Sequence, residues 1–187
     1  MMFLQYAMYG IWMPLAGKFL GAGVEEGGLG FDLQERMMIL ALAGGIGAIC
    51  APFVAGQIAD RYFATERCLA VLLILGGIVK YVTAYQTSFA AWLSLSILYA
   101  ILFVPTQALT NSLAMAHLAD PKRQFPGVRV FGTLGWITVS WLFPMIWLQT
   151  GLSFQWLPPF FQGTEVPHVA VRMIDSLKFA GMISVGY

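Results

Sequence analysis

The segment Phe125-Pro126-Gly127-Val128-Arg129-Val130-Phe131-Gly132-Thr133-Leu134-Gly135-Trp136 sets an arginine, a threonine and a tryptophan at the head of a run that is otherwise apolar. Arg129, Thr133 and Trp136 stand at i, i+4 and i+7, a spacing that puts all three on one face of a helix. A guanidinium offers fixed cationic donors, a hydroxyl donates and accepts, and an indole presents a flat apolar plane. Together they suit a polar organic molecule with a ring face. The same residues also have plain structural readings. Arg129 can snorkel to headgroups or pair with Asp60 or Asp120, Thr133 can bond the carbonyl one turn back, and Trp136 can face lipid. Gly132 and Gly135 suit close helix contacts.

Other polar residues are set in apolar surroundings. Gln5, Gln107 and Asn111 are amides within apolar runs, where a polar group needs a partner and turns inward, either to a ligand or to a neighbouring helix. Tyr9 and Trp12, at i and i+3, either line the same interior or face lipid. Gly56, Asp60 and Arg61, followed by Glu66 and Arg67, gather charge at the end of one apolar run. Such a cluster can act as a latch that forms in one conformation and opens in another, or it is an ordinary solvated turn.

The elements that position these residues follow from composition. The chain is 59% hydrophobic and 10% charged, against about 25% charged in soluble domains, so it belongs in a lipid bilayer. An apolar run of about 20 residues crosses a bilayer as a helix. Spans are expected at about 1–20, 36–59, 67–86, 90–116 and 126–148, with a sixth starting at about 172–187. Pro126 opens the fifth span after a polar turn over 117–126. Pro105 kinks the fourth near its middle, and Lys80, alone in the third, snorkels to the far interface. Residues 149–167, rich in aromatics and proline, form a loop at the membrane surface. The apolar stretch after Phe179 is too short to span, so the chain is expected to stop within a truncated sixth helix. Lys and Arg counts leave orientation close to a tie, and the short, net positive turns 60–67 and 117–126 point to the cytoplasm.

Several motifs together resemble a known family. Gly56-x-x-x-Asp60-Arg61 after the second span resembles the signature loop of the major facilitator superfamily, with its basic tail reduced to Arg67. Gln5 with Tyr9-Gly10-Ile11-Trp12, Pro105-Thr106 with Asn111, and Phe125-Pro126-x-x-Arg129-x-x-Gly132-Thr133-x-Gly135 resemble its nucleoside:proton symporter branch, over roughly residues 4–148. The resemblance implies an all-α membrane protein, the N-terminal six-helix bundle of a twelve-helix carrier that works by alternating access. It further implies a nucleoside-like substrate, protons as the coupled ion, a cytoplasmic N-terminus, a bacterial inner membrane and a C-terminal bundle outside this chain. It carries ligand contact onto Arg129, Thr133 and Trp136, with Gln107 and Asn111 as further candidates, and conformational gating onto Gly56, Asp60, Arg61 and Arg67. No carboxylate lies mid-span, so the proton-carrying group is expected in the other half.

Other classes fit less well. A net charge of +1 without clustered Lys and Arg gives no case for nucleic acid. His117 and His168 lack metal-ligand or acid/base companions, which leaves a membrane-embedded enzyme, a metal site or a cofactor without residues to carry it. Cys50 and Cys68 give no disulfide framework. A half-size carrier that pairs with a second copy, and a carrier of sugars or other small polar metabolites, remain open, because an aromatic plane suits a pyranose as well as a base.

Overall fold

The structure is a computed structural model that describes residues 1–53, 64–157 and 161–186. Among these, helices α1 (Met2–Gly21), α2 (Leu33–Phe53), α3 (Thr65–Thr83), α4 (Phe89–Ala116), α5 (Pro121–Trp147) and α6 (Val169–Gly186) account for most of the chain. By length and composition α2, α4 and α5 can each cross a membrane. On α5 the exposed residues Val130, Phe131, Leu134, Ile137 and Trp141 form an apolar surface suited to lipid.

Local chemistry explains where the helices start. Asp32 precedes α2, and its N–H donates to the Glu35 carboxylate at 3.1 Å, half of a capping box. Ser88 caps α4 by accepting from the Ala91 N–H at 3.3 Å. Asp120 does the same for α5, accepting from the Arg123 N–H at 3.3 Å, and Pro121 takes the first helical position. The fifth helix therefore begins at Pro121 rather than Pro126, and the polar turn expected over 117–126 shrinks accordingly. Pro126 and Pro144 lie inside the helix. The described ends of the other helices differ from the expected spans by a few residues, and the end expected for the second span, at about 59, lies outside the described residues. The helix expected to start at about 172 begins at Val169 and runs to Gly186.

A larger difference lies at residues 149–167. An antiparallel hairpin, β1 (Gln149–Phe154) with β2 (Phe161–Glu165), replaces the expected loop, so the chain is not purely helical. The register steps three residues on β1 for two on β2 between Thr150 and Ser153, and Gly151 within that step has φ +67°. Some bulges set one residue in the left-handed region, and glycine takes that conformation without strain.

Packing pairs α1 with α5 and α6, α2 with α4, and α3 with α4 and α6. Glycines set two of these contacts. A Cβ on Gly135 would collide with the Phe3 carbonyl, one on Gly132 would meet the Tyr6 ring, and one on Gly10 would press on the Trp136 backbone. Gly77 of α3 and Gly181 of α6 face each other's carbonyls in the same way. Ser140 Oγ donates to the Gly10 carbonyl at 3.0 Å, and Ser184 Oγ donates to the Leu73 carbonyl at 2.7 Å. Van der Waals contact and such hydrogen bonds hold helices together in lipid, where the hydrophobic effect no longer drives them to associate.

Gly135→Ala should therefore lower the thermal midpoint of the purified chain, by an amount corresponding to about 1–3 kcal/mol. Gly127→Ala, which meets open space in the same helix, should be neutral or stabilising by up to about 1 kcal/mol. Equal effects of the two substitutions, measured by circular dichroism in detergent, would show that the α1–α5 contact is not the tight one.

Candidate functional site

The α5 face carrying Arg129, Thr133 and Trp136 adjoins the α1 contact without being consumed by it. Gly132 and Gly135 take the side turned to α1, while Arg129 and Thr133 are exposed and Trp136 is half-buried. Arg129 forms no hydrogen bond or ion pair with any described residue; the Asp120 carboxylate is engaged by the Arg123 N–H instead. Arg129 stands eight residues into α5, about 12 Å along the axis. The Trp136 ring lies 5.2 Å from that of Tyr9 on α1.

Tyr9 is the hub of an aromatic chain across three helices. Its ring stacks on Phe103 of α4 at 5.7 Å and meets Trp12 edge-on at 5.6 Å. Trp12 meets Tyr99 at 5.7 Å, and Tyr99 stacks on Phe103 at 5.1 Å. Edge-on and offset pairs at these distances each contribute about 0.5–1.5 kcal/mol beyond their burial. One face of α5 is thereby fixed relative to α1 and α4.

Along the α1–α4 seam the amides divide between two roles. Gln5 is fully buried, and its Nε2 donates to Thr106 Oγ1 at 2.7 Å, while Thr106 Oγ1 donates back to the Phe103 carbonyl at 2.5 Å. Gln5 thus joins α1 to α4 through one end of its amide. Its Oε1, together with Thr110 Oγ1 and Asn111 Oδ1, is buried and has no hydrogen-bond partner. Gln107 and Asn111 are half-buried on the same side of α4. Orphaned polar atoms of this kind cost free energy unless a ligand or water reaches them. Thr110 and Asn111 lie about one turn beyond Thr106, the partner of Gln5, toward the end of α4 that is joined by a short turn to the start of α5.

The latch cluster is described only in part. Gly56, Asp60 and Arg61 lie outside the described residues, and Arg67 is exposed in the first turn of α3. His117 and His168 each bond a backbone carbonyl, that of Leu113 and that of Glu25.

One residue was misplaced by sequence reasoning. Lys80 does not snorkel: it is 2% exposed, with Nζ 3.0 Å above the Trp12 ring centroid and 4.5 Å from that of Tyr99. The periodicity held the clue, since Lys80 continues the buried stripe of Leu69, Leu72, Leu73 and Gly76, whereas Ile74, Ile78 and Tyr81 form the exposed face. A cation over an aromatic face gains about 2 kcal/mol or more when desolvated, against several kcal/mol for taking an ammonium out of water.

A largely helical chain with three helices long and apolar enough to cross a membrane is a multi-pass membrane protein. Residues 1–157 match the family described as Nucleoside H+ symporter, and the chain belongs to that family. It is 38% identical over 138 residues to the putative nucleoside transporter YegT of Escherichia coli K12, covering 73% of this chain and 31% of that protein. To the xanthosine permease of the same organism it is 31% identical over 155 residues, 80% of this chain and 35% of the relative. The crystal structure of nucleoside transporter NupG shares the fold, with a TM-score of 0.73 at 20% identity over 99% of this chain and 42% of that one. The chain spans about a third of the length of the curated relatives it matches.

Thr106→Val and Gln5→Leu, singly and together, test the buried α1–α4 bond. A double-mutant cycle by thermal unfolding should give a coupling of about 0.6 kcal/mol and no more than about 1.7, as for interhelical bonds in other membrane proteins. Additive effects would mean that the two side chains do not interact.

Proposed function

We propose that this chain is part of a secondary active transporter that carries nucleosides by alternating access, coupled to protons, in the inner membrane of a bacterium. In this reading α1 to α6 are the N-terminal six-helix bundle of a major facilitator fold, with the N-terminus in the cytoplasm. The opposing wall of the cavity corresponds to the part of the relatives' length that this chain does not span. The family and the transporters it resembles support the substrate class. The observation that carries the site is an exposed Arg129, unpaired among the described residues, beside Thr133 on the face whose Trp136 packs on Tyr9. Facing hydrocarbon at mid-depth, such a charge would cost about 2.5–3.5 kcal/mol. Facing an aqueous cavity it costs little and gains a ligand.

The roles follow from the groups. Arg129 donates to ribose or base oxygens, Thr133 donates or accepts beside it, and Trp136 stacks on the base plane. Gln107 and Asn111 reach the substrate from α4, where the free Oδ1 of Asn111 accepts an N–H or O–H. Gly56, Asp60, Arg61 and Arg67 act at the cytoplasmic end as a latch that holds one conformation and releases it in the other. Binding energy that favours one conformation over the other is what lets the substrate move the equilibrium.

The test is a graft of this chain in place of the segment it matches in the xanthosine permease, expressed in a strain without nucleoside uptake. Radiolabelled nucleoside should accumulate and be competed by other nucleosides. A graft present in the membrane at the parent's level that carries nothing, or that hexoses compete instead, would overturn the substrate assignment. Arg129→Ala in the graft should lower uptake at least tenfold with insertion unchanged, the scale of a lost hydrogen bond to a charged group. Uptake at the unsubstituted rate would remove Arg129 from the cavity. For Asp60→Asn, turnover should slow while substrate affinity stays the same; lost affinity at normal turnover would contradict a latch.

A further inference from the structure

Four rings on α1 and α4 close on themselves. Tyr9 and Trp12 of α1 meet edge-on at 82°, and Trp12 meets Tyr99 of α4 at 83°. Tyr99 stacks on Phe103 at 13°, and Phe103 stacks on Tyr9 at 23°. Each ring touches two others, so in a close-packed interior none turns without displacing a neighbour. Two groups reach this circuit from other helices. Lys80 of α3 sets its ammonium over Trp12 and Tyr99, 3.0 and 4.5 Å from their centroids. Trp136 of α5 lays its ring on Tyr9, at 5.2 Å and a tilt of 49°. Both routes from Lys80 to Trp136, one through Trp12 and one through Tyr99 and Phe103, end on Tyr9.

The backbone of Trp136 is already placed. Gly10 packs against it, and Ser140, one turn further along α5, donates to the Gly10 carbonyl. The direction of the indole is what the backbone leaves open, and Tyr9 is the ring that bears on it. Lys80, for its part, is an expensive way to fill the buried stripe of α3, where an aliphatic side chain would carry no charge to desolvate. It is also the α3 side chain that reaches α1, since α3 packs chiefly on α4 and α6. The space that Lys80 lines with Tyr9, Trp12, Tyr99 and Phe103 measures about 80 Å³, against ~300–1,000 Å³ for pockets that take drug-sized ligands. A nucleoside does not fit beside Lys80, and the lysine can act on one only through the rings.

We propose that Lys80 is a positioning residue for the substrate: it clamps Trp12 and Tyr99, locks the four-ring circuit, and through Tyr9 fixes the plane on which Trp136 receives a base. This rests on the reading of Trp136 as the stacking surface given above. A plane held ready spares the ordering cost of binding, so loosening it takes away affinity rather than turnover.

The experiment uses the graft into the xanthosine permease. Lys80→Met removes the charge and keeps the stem. Its nucleoside KM should rise about three- to tenfold, the scale of one aromatic contact, with the maximal rate kept within about twofold. A lower maximal rate at unchanged KM would make Lys80 a stability residue only and overturn the proposal. Lys80→Arg, whose guanidinium also stacks on aromatic faces, should keep the original KM. In a Trp136→Ala background Lys80→Met should raise KM no further; an equal rise in both backgrounds would show that Lys80 does not act through Trp136.

The plane itself is followed by fluorine NMR of the purified graft grown on fluorotryptophan, with the Trp136 line assigned by its loss in Trp136→Phe. Lys80→Met should shift or broaden that line and leave in place the line of Trp147, which packs on Phe179. An unmoved Trp136 line overturns the proposal even where uptake is normal. A shifted line in a graft that carries no nucleoside supports the clamp and counts against the substrate reading alone. Should Lys80→Met fail to fold, Trp12→Phe takes its place, since it keeps a ring but holds a cation less well. An unchanged Trp136 line and KM in that variant decide against the clamp.

Discussion

The close approach of α1 to α5 is the constraint on which the rest of the structure depends. Gly132 and Gly135 meet Tyr6 and Phe3, and Gly10 meets the Trp136 backbone, so these helices touch main chain to main chain. Side chains on either helix are thereby given fixed directions. On α5 the glycine side lies about a quarter turn from the Arg129, Thr133 and Trp136 side, so the contact that buries one leaves the other open. On α1 the same contact turns Gln5, Tyr9 and Trp12 toward α4. Larger residues at the three glycines would separate the helices, and both the aromatic chain and the polar seam would lose their register together.

Polar groups inside the helix assembly fall into two kinds. Thr106, Ser140 and Ser184 spend their hydroxyls on backbone carbonyls or on Gln5, and tie helices together. The buried Oε1 of Gln5, Thr110 Oγ1, Asn111 Oδ1 and the Trp12 N–H stay unmatched. In a low-dielectric interior such groups are the costly ones. Three of them are on α1 and α4 at or beyond the Gln5–Thr106 bond, and Trp12 lines a small cavity together with Lys80. A chain optimised only for stability would have replaced them with carbon.

Much of this was legible in the sequence, and what was not has identifiable causes. The uncharged runs gave the helices, because a period and a length suffice to recognise them. The Arg129, Thr133 and Trp136 spacing gave one shared face, because helical geometry is local. Helix starts were less legible: Pro126 looked like a first residue, but Asp120 and Pro121 form the better cap five residues earlier. The hairpin was hidden by Pro158 and Pro159, and its bulge depends on Gly151, whose need for positive φ appears only once the strands are paired. Lys80 was misread because a lone lysine near a helix end usually reaches outward. Its inward stripe is visible on α3, but the rings that receive it lie on α1 and α4, a long-range fact that no window on α3 contains.

The two prolines within α5 have a mechanical consequence. Pro126 has no N–H to give the Lys122 carbonyl, and Pro144 has none for that of Ser140, so the hydrogen-bond ladder is broken at two points. Between the breaks lies an unbroken stretch that holds Arg129 through Trp136. A rod with two weak points bends there first and keeps its middle straight. Any flexing of α5 would swing that middle stretch as one stiff lever about Gly132 and Gly135, its points of contact with α1, with the spacing of its three polar and aromatic groups unchanged.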